Sequence, residues 1–223
     1  MGEAIGESIA LAVGLAVTSV PVVAIVLGLL EEGVGRRRLA FAVGWLAGVA
    51  GVLAVVIAAS DALGTGPDTS PARWASIARI VLGTALLGLA VVDWRARPRH
   101  GEPAELPPWM RALGGATVGR SLGLGFLLAS CNPKNIVLLV SGGLTIAAAP
   151  TGLVGELVGA AVFVLVATSP VVVLVLLYRV LPPGPRQALD AANAWIQEHN
   201  AVVMAVLLLV IGAVLLVNGI ASL

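Results

Sequence analysis

The sequence predicts an all-α integral membrane protein whose six transmembrane helices form two inverted three-helix repeats, with broken helices in the first and fourth spans. Three observations carry this reading. The chain is 59% hydrophobic and 11% charged with a mean hydropathy of +1.03, whereas a soluble domain is about half apolar and about a quarter charged. Six apolar runs are long enough to cross a bilayer, a helical span needing about 20 residues. The two halves of the 223-residue chain also echo each other's proline breaks and small-residue spacings.

The predicted spans are Ile9–Leu30, Leu39–Ala59, Trp74–Val92, Ser121–Ala149, Leu157–Tyr178 and Ala201–Ala221. The segment ahead of the first is acidic (Glu3, Glu7) and lacks the basic region of a secretory signal, so the first span is expected to be retained. Between the spans lie Glu31–Arg38, Ser60–Arg73, a long polar linker Asp93–Arg120, a turn at Pro150-Thr151-Gly152, and Arg179–Asn200. A soluble domain does not fit in the remaining length, so one membrane domain is expected. It divides into repeat 1 (1–98), a cytoplasmic linker (99–109) and repeat 2 (110–223).

Orientation follows from the arginines. Arg36, Arg37, Arg38, Arg95, Arg97, Arg99, Arg111, Arg120, Arg179 and Arg186 fall in the first, third and fifth loops. Basic loops stay cytoplasmic, which places both termini outside the plasma (inner) membrane. Arginine outnumbers lysine twelve to one and Ala, Gly and Val abound, a composition that points to GC-rich coding and a bacterium. Trp74 and Trp94 bracket the third span as interface anchors. In Gly184–Asn200, Leu189, Ala192, Trp195 and Ile196 share one helical face, which fits either an amphipathic surface helix or an extension of the last span.

The repeat shows in two alignments. Thr18-Ser19-Val20-Pro21 lies against Ser130-Cys131-Asn132-Pro133, and Gly44-Trp45-Leu46-Ala47-Gly48 against Gly155-Glu156-Leu157-Val158-Gly159. With three spans in each half, the second half inserts upside down relative to the first.

Chemistry concentrates at Asn132-Pro133-Lys134-Asn135 in the fourth span. Arg120 to Lys134 covers ~21 Å of helix, beyond the reach of a lysine stem, so Lys134 is expected near the bilayer midplane. A central lysine costs roughly 2.5–3.5 kcal/mol on insertion scales and therefore faces a cavity or a partner. Glu7, Glu31, Asp93 and Glu156 all fall near span ends, so no carboxylate is expected to reach it. Its counter-charge is expected from backbone carbonyls or an anionic substrate, unless the amine loses its proton. Asn before Pro is a helix start, with Asn132 as the cap and Pro133 at the first helical position. The half-helix from Pro133 then points its positive end at the site. Pro21, with Thr18 and Ser19, would make a similar break in the first span, and Thr168-Ser169-Pro170 a further kink. The predicted binding residues are thus Lys134, Asn132, Asn135, Pro133, Pro21, Ser19 and Thr18, and they suit an anionic or strongly polar group.

The same inventory excludes other classes. One cysteine, Cys131, precludes an intrachain disulfide and a multi-cysteine metal cluster. His100 and His199 lie in separate loops, so no metal is expected. No cofactor is implied, and a net charge of +1 gives no footing for nucleic acid. The only candidate nucleophiles near Lys134 are Ser19, Ser130, Ser141 and Cys131, without a deep acid or histidine, so an enzyme is not expected. No Gly-rich phosphate-binding loop is present.

These residues resemble a known family. A proline in the first of six spans and Asn-Pro-Lys in the fourth look like the LysE superfamily of small exporters. The likeness is greatest to its GAP branch, the peptidoglycolipid-addressing and sulfolipid-addressing proteins. It runs through Ser19-Val20-Pro21-Val22-Val23-Ala24-Ile25, the arginine-rich first loop, Gly44-Trp45, Asp93-Trp94-Arg95, Pro108-Trp109-Met110-Arg111 and Asn132-Pro133-Lys134-Asn135-Ile136-Val137-Leu138-Leu139. The last two blocks are the specific ones. In one departure, many relatives carry a second proline where this chain has Val23. The resemblance implies export across the plasma membrane, of glycolipids or their precursors in this branch and of amino acids or cations in sister branches. It implies membrane lipids and a polar small-molecule substrate as partners, with a homodimer or a lipid-synthesis partner as further possibilities. A non-transporting accessory to a lipid synthase or larger exporter is the rival reading.

The orientation has a direct test. In a Cys131-free background, single cysteines at Arg37 and Pro103 are expected to resist an impermeant thiol reagent applied to intact cells, and cysteines at Pro67 and Pro150 to react. The reverse pattern would invert the orientation.

Overall fold

A computed structural model describes residues 6–17, 35–62, 73–95, 117–180, 202 and 205–221. These form seven helices and no strand: α1 (Gly6–Val17), α2 (Gly35–Ala62), α3 (Arg73–Arg95), α4 (Val118–Ser130), α5 (Pro133–Ala147), α6 (Gly152–Val180) and α7 (Ala205–Ala221). Long apolar runs become helices because a backbone in lipid must satisfy its own N–H and C=O groups. Within α2, α3 and α6, Gly35–Ala62, Ser76–Arg95 and Gly152–Leu177 are each long and apolar enough to cross a membrane. The pair α4–α5, bent by 66° at the break, counts as a fourth span if its arms cross together, whereas α1 and α7 are shorter apolar helices. The second, third and fifth predicted spans thus correspond to α2, α3 and α6. Pro21, Ser19, Thr18 and the Gly184–Asn200 segment lie outside the described residues.

Helix ends follow local chemistry. Thr117 caps α4, its side chain accepting from the Arg120 amide at 3.3 Å. The chain reverses between α5 and α6 through Ala148–Thr151, with the Ala148 and Thr151 amides bonded back to Leu144 and Ala149. Gly152, at φ +64°, opens α6 in the left-handed region that only glycine enters freely.

Two crossings bring backbone against backbone. Along α2, Gly44 faces the Leu122 carbonyl and Gly48 faces Phe126 and Ala129, while Gly125 on α4 faces Phe41 and Trp45 in return. The register advances in the same sense on both helices, so α2 and α4 run parallel. On the other side, a Cβ at Gly83 would stand 2.8 Å from the Gly212 carbonyl and the Leu216 amide, and one at Gly219 would stand 3.0 Å from the Ile80 amide and the Ser76 carbonyl. Here the register runs oppositely, so α3 and α7 are antiparallel. Small residues allow such approach between membrane helices, where dispersion and weak polar contacts replace the hydrophobic effect. The second glycine pair behaves differently from the first: a Cβ at Gly159 would stand in ordinary contact with Ile146 at 3.4 Å, and one at Gly155 would meet Thr151 of its own helix turn. Equal spacing in the two halves therefore does not mean equal packing.

The core runs through Phe41, Trp45, Val49 and Leu53 of α2, Leu138 and Leu139 of α5, and Phe163 and Ala167 of α6. The outer surface carries Val55, Leu153, Val154 and Leu165, each about two-thirds or more exposed. A soluble protein rarely shows an apolar surface of that extent. In a bilayer it is the lipid-facing side, and the protein is a multi-pass membrane protein.

The parallel α2–α4 crossing predicts a graded response to one added methyl. Gly44→Ala or Gly125→Ala must push two backbones apart, an overpacking cost of about 1–3 kcal/mol, and is expected to lower the melting temperature in detergent. Gly51→Ala and Gly88→Ala, which face open space, are expected to leave it unchanged or raise it.

Candidate functional site

The site is built on the interruption between α4 and α5. Proline at 133 has no N–H to give the Ala129 carbonyl, and its ring disfavours a continuous helix. The chain accordingly leaves the helix at Cys131, whose amide closes on Leu127 at 2.8 Å, and turns extended at Asn132 (φ −71°, ψ 123°). Asn132 then caps the new helix: its side-chain oxygen accepts from the Lys134 amide at 3.1 Å, and its carbonyl accepts from the Ile136 amide at 2.9 Å. The expected cap and first-position proline are both present.

Asn135 closes the other half of the break. Its side chain is 1% exposed, and its amide nitrogen donates to the carbonyls of Leu128 and Ala129, each at 3.2 Å. In an unbroken helix those carbonyls would serve residues 132 and 133. The side chain therefore supplies the donors that the break removes, as burial in lipid requires. Asn135 is a brace across the break. The same device recurs at Pro170, which lies inside the continuous helix α6: the Ser169 hydroxyl donates at 2.7 Å to the Val166 carbonyl that Pro170 cannot serve.

Lys134 has a partner that the sequence reading excluded. Its Nζ donates to both carboxylate oxygens of Asp93, at 2.7 and 2.6 Å. The two side chains are 26% and 14% exposed. Asp93 lies two residues before Arg95, the end of α3, so the pair sits toward one end of that helix rather than at its middle. The expectation of a lysine without an acidic partner is therefore corrected. Asp93 was discounted because it closes an apolar run, whereas packing brings the start of α5 to the last turn of α3. The signal is present in the sequence, since Asp93 is the one acid between Arg73 and Arg95 and opens the Asp93-Trp94-Arg95 block of the family likeness.

Helix ends strengthen the pairing. Lys134 stands at the positive end of α5 and Asp93 at the negative end of α3, each poorly placed on its own helix. Facing each other, each charge meets the other helix's favourable end. The net charge at the break is thus close to zero. Lys134 is not an open anion site in this conformation, and an anion must compete with Asp93 for it.

The remaining candidates are quiet. Ser130 and Ser141 donate to the carbonyls of Phe126 and Val137, each at 2.7 Å, so neither hydroxyl is poised as a nucleophile. Cys131 is exposed beside Ser130. Among the described residues no group of His, Cys, Asp and Glu is arranged to hold a metal.

The family model described as Sap, sulfolipid-1-addressing protein, matches residues 9–221. The chain belongs to the sulfolipid-1-addressing protein family. No curated protein and no solved structure matches it. Family membership covers both halves of the chain, so the Asp93–Lys134 pair and the braced break both lie within the matched region.

Two substitutions separate brace from charge pair. Asn135→Leu keeps the bulk but strands two buried carbonyls and is expected to destabilise the protein by about 2 kcal/mol, the usual cost of an unsatisfied buried group. In a double-mutant cycle of Asp93→Asn and Lys134→Met, the pair is expected to show about 1–3 kcal/mol of coupling, between exposed and fully buried ion pairs. Unfolding in detergent by denaturant reads both.

Proposed function

We propose that this protein exports a polar-headed, anionic glycolipid or lipid-linked substrate across the plasma membrane of a bacterium, without catalysing a covalent reaction. The observation that carries this reading is the Asp93–Lys134 ion pair at the mouth of a half-helix, in a chain of the sulfolipid-1-addressing family. A lysine at a positive helix end is an anion receptor held shut by its own carboxylate. An incoming anionic head group exchanges with Asp93, guided by Lys134 and the positive end of the α5 dipole. Asn132 and Pro133 fix where that helix begins, and Asn135 keeps the break closed to lipid. Thr18, Ser19 and Pro21 would contribute from the first span. The displaced carboxylate then needs a cation, the step at which an ion gradient would couple.

The reading takes the fold as six spans in two inverted repeats, 1–98 and 110–223. Parallel α2 and α4 and antiparallel α3 and α7 support it, because alternating crossings put spans two and four in the same direction and spans three and six in opposite ones. Such repeats support alternating access around a site at broken helices. A site near the inner end of α3 faces the cytoplasm under the positive-inside orientation, which suits loading from inside.

The test is transport by purified protein in liposomes, using a fluorescent sulfated glycolipid read by its access to an impermeant quencher. Lys134→Met is expected to fold and to abolish transport. Lys134→Arg is expected to be impaired, because the broader guanidinium does not reproduce a compact ammonium. Asp93→Asn leaves Lys134 open and is expected to bind the lipid more tightly while turning over slowly. Wild-type rates from a well-folded Lys134→Met protein would remove Lys134 from the site, and a well-folded wild-type protein that moves no lipid would sink the export reading in favour of a non-transporting accessory.

A further inference from the structure

A second feature lies on the other side of the same α3 turn. Between the end of α3 and the start of α7 is a cavity of about 510 Å³, lined by Ala90, Val91, Trp94 and Arg95 of α3 and by Val206 and Leu209 of α7. It lies beyond the close crossing of the two helices at Gly83, Gly212 and Gly219. The volume lies within the range of about 300–1,000 Å³ typical of small-molecule sites. Val91, Trp94, Val206 and Leu209 are each about half exposed, so the groove opens onto the surface that faces lipid.

Among the described residues, Arg95 is the only charge in this lining. The adjacent Asp93 does not neutralise it, since both Asp93 oxygens are engaged by Lys134. The groove wall is apolar, formed in part by the Arg95 stem with Trp94 beside it, so the guanidinium lies beyond the wall, and this order of apolar trench then charge matches an amphiphile with an anionic head. The apolar face of a second helix would leave that charge unmatched. We infer that the α3–α7 groove binds an anionic glycerolipid of the surrounding bilayer, its acyl chain along Ala90, Val206 and Leu209 and its head group on Arg95. The guanidinium fork takes a phosphate oxygen pair, and Trp94 sits at head-group depth, where its ring is favoured. This inference rests on the helices lying in a membrane and does not depend on export. It also places a lipid against the turn that holds Asp93 on Lys134.

The experiment uses the full chain in phosphatidylcholine nanodiscs containing a minor fraction of either acyl-brominated phosphatidylglycerol or acyl-brominated phosphatidylcholine. Quenching of Trp94 is obtained as the difference between the wild type and Trp94→Phe. Brominated phosphatidylglycerol is expected to quench Trp94 about fivefold more effectively, the preference that one basic side chain confers at an anionic lipid. Arg95→Gln is expected to equalise the two lipids, and Val206→Phe, which fills the groove from its open side, to reduce quenching by both. Equal quenching in the wild type, or a preference that survives Arg95→Gln, would overturn the site. A head-group preference in a protein that exports nothing would leave the site standing and remove only the export reading.

Discussion

The arrangement depends on one constraint: a backbone carbonyl buried in lipid must find a donor. Pro133 removes a donor, and the extended Asn132 removes a second. A polar brace is then obligatory, and Asn135 is placed to provide it, with both of its bonds directed at the end of α4. Once the break is braced, α5 leaves α4 at 66°, and its first turn swings toward the end of α3. The ion pair is a consequence of that direction.

The glycine crossings hold the frame in which this happens. Parallel α2 and α4 meet backbone to backbone at Gly44, Gly48 and Gly125, which fixes the arm before the break. Antiparallel α3 and α7 meet at Gly83 and Gly212, which fixes the helix carrying Asp93. The two partners of the ion pair thus hang from separate close-packed crossings. A small change in the angle between those crossings alters their separation.

Asp93 and Lys134 also illustrate how charge is accommodated in an apolar chain. Each would be costly alone, and each stands at the wrong end of its own helix. Their pairing relieves both costs while leaving them partly exposed, so exchange with a competing anion does not require burying an unpaired charge.

Composition and run length alone determined that this is a helical membrane protein, because a bilayer admits little else for such segments. The local chemistry of Asn132-Pro133 likewise determined where a helix stops and restarts, since cap and proline rules act over a few residues. The family likeness was readable chiefly from Pro108-Trp109-Met110-Arg111 and the block from Asn132 to Leu139. What the sequence did not determine was who pairs with Lys134. Distance along a span measures depth only in a straight helix, and the 66° bend makes chain position a poor measure of height in the bundle. Equal glycine spacing at 44/48 and 155/159 also hid unequal packing. Tertiary structure decided both points, because pairing and close approach depend on the direction in which helices leave a break and cross one another, and no local rule encodes that direction.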